Sequence, residues 1–284
     1  MSKQKSAVVP TGETAVAVYD YGDDANAGFE NQTGDDLAIP FLGVLQALSP
    51  QVGDVSDGGL EGAKAGMIFN TVTDAVYDGK DGVEFIPSLT EHVFVEWVPR
   101  SRGGGFVARH EPASDIVKAA KEGSKSFGRY STDYTGTGDD KAPFKGNDLV
   151  ETFYVYGILL GEQTEPIVLA FTSTKIAVYK RWNTKLNMFT LKQGDRKIRP
   201  PLFAHRVRLS TVKQKNNAGE FFNFAMAPAE GDVKSSLLDP NDPRFAAAKG
   251  CGDMVKSGAA RASYETQKGG EGEGGTPGAE TPHF

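Results

Sequence analysis

The chain has 284 residues, a net charge of −6, 39% hydrophobic residues, 34 glycines and 15 prolines, so it can bury a core but is expected to contain long loops or disorder. Its single cysteine, Cys251, excludes an intrachain disulfide and a cysteine metal cluster. No run of about 18 apolar residues is present to span a membrane, and the N-terminus has no apolar signal core, which predicts a soluble cytoplasmic protein.

The predicted elements are mostly β-strands with a few helices. Residues 1–36 are polar and acidic and are predicted to form a disordered arm, followed by a β-rich domain at 37–266 and a disordered acidic tail at 267–284. In chain order, the domain is predicted to contain a strand or helical turn at 37–48, strands at 67–73, 83–87 and 92–99, extended chain from 106, a helix at 114–121, a long polar loop at 123–147, a hairpin of 151–160 with 167–171, a helix at 176–189, a hairpin of 203–212 with 220–226, and a helix at 243–256.

The most unusual feature is the charge of residues 175–215, the basic block. It holds twelve basic residues and one acid, Asp195, for a net charge of +11, so the rest of the chain sums to −17. Such segregation predicts a surface that meets a polyanion on a body that otherwise repels one. The basic residues are Lys175, Lys180, Arg181, Lys185, Lys192, Arg196, Lys197, Arg199, Arg206, Arg208, Lys213 and Lys215.

Aromatic residues lie among these cations: Tyr179, Trp182, Phe189 and Phe203. Single-stranded nucleic acid is bound by this combination, because phosphates attract Lys and Arg while unstacked bases stack on flat rings for about 1–3 kcal/mol each. The alternative is that the rings are core residues. Tyr179 and Trp182 share helical spacing with Ile176 and Leu186, which is typical of a buried stripe.

A second candidate for phosphate contact is a basic glycine-rich turn. Arg100 and Arg102 precede three glycines at 103–105, where the backbone can approach a ligand closely. The triplet is not a Walker loop, because no Gly-Lys-Ser/Thr follows it. The predicted strand pairs suit a small barrel of the oligonucleotide-binding (OB) kind, so the predicted fold is α+β with an OB-like β-barrel core.

Signals for catalysis are few. The histidines at 92, 110, 205 and 283 share no metal spacing, and no Gly-x-Ser-x-Gly motif occurs. The acidic pairs lie in loop-like stretches, where they favour solubility. We therefore predict no catalytic residues, no metal and no cofactor.

The tail resembles that of single-stranded DNA-binding proteins of bacteria and tailed phages. These proteins end in acidic residues, often a proline, and a terminal Phe, and the similar residues here are Glu280, Pro282 and Phe284 at the end of a glycine-rich leash. The resemblance implies a partner such as a phage polymerase, helicase or nuclease. The body also resembles a group of phage proteins through the phrases Ile-Pro-Phe-Leu from 39, Ile-Phe-Asn-Thr-Val-Thr from 68 and Glu-Trp-Val-Pro-Arg-Ser-Arg-Gly-Gly-Gly from 96, which implies a phage origin.

These observations predict a phage single-stranded DNA-binding protein that sequesters displaced strands during replication or recombination. The alternatives are a virion or assembly protein that contacts DNA or an acidic subunit, and an accessory factor of a nuclease or polymerase. The residues predicted to bind nucleic acid are Lys175, Tyr179, Lys180, Arg181, Trp182, Lys185, Arg196, Lys197, Arg199, Phe203, Arg206, Arg208, Arg100 and Arg102.

Overall fold

The structure is a computed structural model that describes residues 27–28, 30–31, 38–123, 130–132, 146–217 and 219–262. The predicted tail at 267–284, with its candidate partner-binding residues, lies outside the described residues. So do most of the predicted acidic arm at 1–36 and most of the predicted loop at 123–147.

The described elements are mostly strands, which confirms the predicted α+β class rich in β-structure. None of the described helices is long and apolar enough to cross a membrane. The strands are β1 (Ala38–Ile39), β2 (Leu42–Val44), β3 (Ile68–Asn70), β4 (Val76–Tyr77), β5 (Val83–Trp97), β6 (Phe106–His110), β7 (Tyr130–Ser131), β8 (Asp148–Leu160), β9 (Thr164–Thr172), β10 (Leu191–Gln193), β11 (Arg196–Ile198), β12 (Val207–Asn216), β13 (Gly219–Pro228) and β14 (Arg261–Ala262). The helices are α1 (Asp115–Gly123), α2 (Lys175–Met188) and α3 (Pro243–Ser257).

The main sheet is antiparallel and is built on the long pair β5 and β8. The outer edge of β5 pairs with β12 at one end and with β6 at the other, and the outer edge of β8 pairs with β9 and β7. The described strands of this sheet do not close into a barrel, so the OB-like core stays a prediction. Three shorter strands form a second sheet, β2-β3-β4.

Strand β5 joins two segments that the sequence predicts as separate strands. Pro87 ends the first of these segments and has no backbone N–H to donate to the ladder. The structure instead continues through a register shift between Pro87 and Leu89. Opposite Pro87 stands Gly157, where a Cβ would lie 2.3 Å from the carbonyl oxygen of Ile86, so only glycine allows this close approach.

The two faces of the sheet carry different helices. On one face, α2 packs through Tyr179, Trp182 and Leu186 against a cluster that includes Phe85, Phe153, Val155, Leu169, Phe171, Val207, Leu209 and Phe224. Farther along the same face, α1 covers Phe94 and Leu149 with Val117 and Ala120. Helix α3 packs on the opposite face, where Ala248 and Cys251 contact Ile86 and Ile158. Along β5 and β8, successive side chains alternate between the two faces of the sheet and so reach the clusters on either side.

Candidate nucleic-acid interface

Helix α2 separates its apolar and basic residues onto two sides. Tyr179 and Trp182 are only 6% and 4% exposed and contact the sheet, whereas Lys180, Arg181 and Lys185 are exposed. The prediction that Tyr179 and Trp182 stack with bases is therefore wrong in this structure, where both are core residues. Residues spaced three or four apart on a helix face the same way, and here that direction is the core.

Two features of the charges on α2 are unfavourable for the helix itself. The helix contains no acidic residue, and a lysine, Lys175, occupies its first turn, where the helix dipole favours negative charge. Arg181 and Lys185 are four residues apart, so they are neighbours of like charge on the exposed side. Lys185, in the last turn, is placed favourably for the dipole, so the unfavourable arrangements are Lys175 in the first turn and the Arg181–Lys185 pair.

The chain after α2 forms a small hairpin that the sequence did not predict. Strands β10 and β11, with the Gly194–Asp195 turn between them, form a two-stranded sheet of their own, here called the basic arm. Every residue from 192 to 199 is exposed. Lys192 lies directly opposite Lys197, a like-charge cross-strand pair that destabilises a hairpin. Three-residue strands are too short to give a clear periodic signal, which is why the hairpin was missed.

The basic arm is attached to the C-terminal end of α2. The guanidinium of Arg199 donates a hydrogen bond to the Asn187 side chain of α2. At the same open end of the arm, the rings of Phe189 and His205 pack edge to face, with centroids 6.5 Å apart. The exposed cations of the helix and of the arm attached to it are together called the basic surface. Its members are Lys180, Arg181, Lys185, Lys192, Arg196, Lys197 and Arg199. No carboxylate among the described residues pairs with any of them.

Arg206 and Arg208 differ from these cations because they form ion pairs. Arg208 donates to Glu84 over 2.7 Å, and Arg206 reaches both Glu84, at 3.5 Å, and Glu230, at 2.6 Å. The prediction that these two arginines are free for phosphates is wrong in this structure. The basic block contains almost no acid, but β5 and the end of β13 bring acids from outside it. Lys213 is paired in the same way with Glu220, at 2.6 Å.

The predicted arginine-glycine turn lies at the end of β5 opposite to the end that pairs with β12. Arg100–Arg102 follows the last residue of β5, whereas β12 of the basic block pairs with the first residues of that strand. At about 3.3 Å per residue, the ends of this 15-residue strand are on the order of 45 Å apart. Arg102 donates to the Gly146 carbonyl and the Asn147 side chain, at 2.7 and 2.9 Å, so it holds a loop end. Arg100 and Arg102 are therefore remote from β12, the last strand of the basic block.

Two further predicted residues, Lys175 and Phe203, are also held by the fold. Lys175 Nζ lies 5.7 Å from the centre of the Phe224 ring, at the rim of the core. Phe203 packs edge-on against Phe245 of α3, with ring centroids 5.1 Å apart, and so belongs to the opposite side of the sheet from α2. Phe203 is therefore not part of the basic surface, and the prediction that it binds nucleic acid together with these cations is wrong in this structure.

His205 lies beneath the basic surface and is a neutral residue. It is buried beside Trp182, Lys185 and Arg206, and burial lowers its pKa to about 4. A hydrogen bond to the Pro200 carbonyl opposes this shift only in part. His205 therefore adds no charge at neutral pH. The described residues also contain no group of His, Cys, Asp and Glu side chains suited to a metal ion.

Comparison with known proteins identifies the family. The sequence model of the Pam3 phage gp34-like protein family matches residues 5–261. The chain belongs to this family. The predicted phage origin is thereby confirmed for this gp34-like protein. Comparisons with curated proteins and with solved structures found no match.

Proposed function

We propose that this phage protein binds DNA through its phosphates and holds displaced single strands during phage replication or recombination, without catalysis. The observation that carries the proposal is the basic surface: seven exposed cations on α2 and the adjoining arm, with no carboxylate partner among the described residues. The like-charge neighbours on the helix and across the arm are unfavourable for the free protein. A phosphate backbone would turn both arrangements into favourable contacts.

The expected mechanism is tolerant of base sequence. Each Lys or Arg that meets a phosphate releases condensed counterions, so affinity should fall steeply as salt is raised. Because Tyr179 and Trp182 are buried, this surface contributes phosphate contacts rather than stacking. We propose that the protein works in the host cytoplasm, where a phage polymerase, helicase or nuclease would be its partner.

The test is a salt titration with oligo-dT and with a duplex of equal length. Arg181→Ala and Lys197→Ala should each weaken binding to oligo-dT and flatten the dependence of log affinity on log salt by about 0.7. Lys249→Ala is the matched control, because Lys249 is exposed on α3, on the other side of the sheet. Absence of oligo-dT binding by the wild type at low salt would refute the proposed function.

A second candidate is a virion or assembly protein that contacts packaged DNA or an acidic subunit. The basic arm favours it, because a two-stranded β-ribbon has the width to enter the major groove of duplex DNA. In the same titration, clearly tighter binding of the duplex than of oligo-dT would support this candidate over single-strand protection.

A further inference from the structure

A strip of the sheet between α1 and α2 carries a row of aromatic rings. The rings of His92 and Phe153, opposite each other on β5 and β8, are stacked with centroids 4.1 Å apart and planes only 9° from parallel. Phe94 continues the row beyond His92 at 5.7 Å, and Tyr179 of α2 continues it beyond Phe153 at 4.6 Å. The row therefore leads from the helix of the basic surface to α1.

His92 is the member of this row that solvent reaches most readily. Its side chain is 36% exposed, whereas Phe153 and Phe94 are buried. Its Nε2 lies 2.9 Å from Glu151 Oε1, and this contact together with the stack on Phe153 fixes the orientation of the ring. A flat ring held in place before a ligand arrives loses little conformational entropy on binding.

Two lysines stand at the two ends of this strip. Lys180 Nζ lies 5.5 Å from the centre of the Phe153 ring, and Lys121 Nζ of α1 lies 4.4 Å from that of Phe94. Lys180 is also the first exposed cation of the basic surface on α2, next to Arg181. Glu151 is the acid that contacts His92, so the strip combines a flat ring, one carboxylate and cations on both sides.

We propose that His92 is a base-contacting residue for single-stranded nucleic acid whose phosphates follow Lys180 and the basic surface. This inference rests on the proposed function and deepens it. Single strands are bound by cations that follow the backbone and by rings that stack with bases. The basic surface has the cations, but Tyr179 and Trp182 on its helix are buried, and the His92 strip supplies an accessible ring beside Lys180. A duplex keeps its bases paired and would not use the strip.

The experiment compares oligo-dT with an abasic oligonucleotide of equal length, which has the same phosphates but no bases. The wild type should bind oligo-dT more tightly. His92→Ala should lower affinity for oligo-dT by at least about fivefold, the lower limit of one stacking contact, and leave affinity for the abasic strand unchanged. His92→Phe should keep the preference for bases, since it keeps a ring. Arg181→Ala is the matched control and should weaken both ligands alike.

The possible results distinguish failure of the inference about His92 from failure of the proposed function. If the wild type binds neither strand, the proposed function fails and the inference with it. If the wild type binds both strands equally, or if His92→Ala keeps the full preference for oligo-dT, the inference alone is wrong. Should His92→Ala fold poorly, photocrosslinking of the wild type to 5-iodouracil-substituted oligo-dT decides. Crosslinks should fall on the β5 peptide that contains His92, and their absence there overturns the proposal.

Discussion

Arg206 and Arg181 are both cations of the basic block, but the structure predicts opposite effects for their replacement by alanine. Arg206 is 18% exposed and lies between Glu84 and Glu230, whereas Arg181 is exposed on α2 with no carboxylate partner among the described residues. We therefore expect Arg206→Ala to lower stability and to change DNA binding little. Arg181→Ala should leave stability nearly unchanged and weaken DNA binding.

The magnitude for Arg206 follows from its contacts. A hydrogen bond to a charged group contributes about 1.5–3 kcal/mol, and loss of Arg206 also leaves Glu84 with one cation fewer. Because Glu230 is half-exposed, solvent screens that pair, and we expect a loss of about 2 kcal/mol. For a domain of this size, that corresponds to a fall in melting temperature of about 4–8 °C. For Arg181→Ala we expect a change within about 0.5 kcal/mol.

The assay pairs thermal unfolding with a salt titration of oligo-dT binding for both variants. Arg181→Ala should keep the wild-type melting temperature and flatten the salt slope by about 0.7, while Arg206→Ala should keep the slope. The reasoning is refuted if Arg206→Ala melts like the wild type and weakens DNA binding as much as Arg181→Ala does. In that case the contacts with Glu84 and Glu230 do not hold in solution.

Three other predictions follow from the same contacts. Trp97 and Trp182 are both buried, so oligo-dT at saturation should leave the tryptophan emission unchanged. Strong quenching in a Trp97→Phe variant would place a base on Trp182 after all. Lys197→Glu puts opposite charges at the Lys192–Lys197 pair, so it should stabilise the arm by about 0.2–1 kcal/mol while weakening oligo-dT binding, measured by amide exchange and by titration. The pKa of His205 is lowered from 6.5 to about 4 in the folded protein. As pH falls from 6.5 to about 4, His205 therefore takes up a proton in the unfolded chain but not in the folded one. The free energy of unfolding should drop by up to about 3 kcal/mol over this range. Denaturant unfolding between pH 7 and pH 4 measures this loss, and a His205→Gln variant with an equal loss would exclude His205 as its source.

Sequence patterns located the longer elements well. The helix predicted at 176–189 is α2 at Lys175–Met188, and the hairpin predicted from 151 is β8 with β9. The final helix, predicted at 243–256, is α3 at Pro243–Ser257, with the Asp242 side chain accepting a hydrogen bond from the Arg244 backbone N–H at its start. Period, turn residues and caps are local signals, and these elements are set locally.

Pairings between distant segments could not be obtained in this way. Arg206 and Arg208 look unpaired in the sequence because Glu84 is more than 120 residues away, and only the β5–β12 register brings them together. The stack of His92 on Phe153 depends in the same way on the β5–β8 register. A count of charges along the chain therefore overstates how many cations are free.

The exposed cations of α2 and the arm have no carboxylate partner among the described residues, unlike several other cations of the basic block. The structure assigns acids to Arg206, Arg208 and Lys213, where pairing stabilises the sheet and its hairpin. On α2 and the arm, by contrast, like charges are neighbours at positions where any polar residue would fit, since each side chain there is exposed. Arg181 next to Lys185 and Lys192 opposite Lys197 are both pairs of like charge, which repel each other within a helix and across a hairpin. These two pairs of like charge in adjoining elements support our proposal of a ligand of opposite charge, and DNA would supply that charge at regular intervals along a strand.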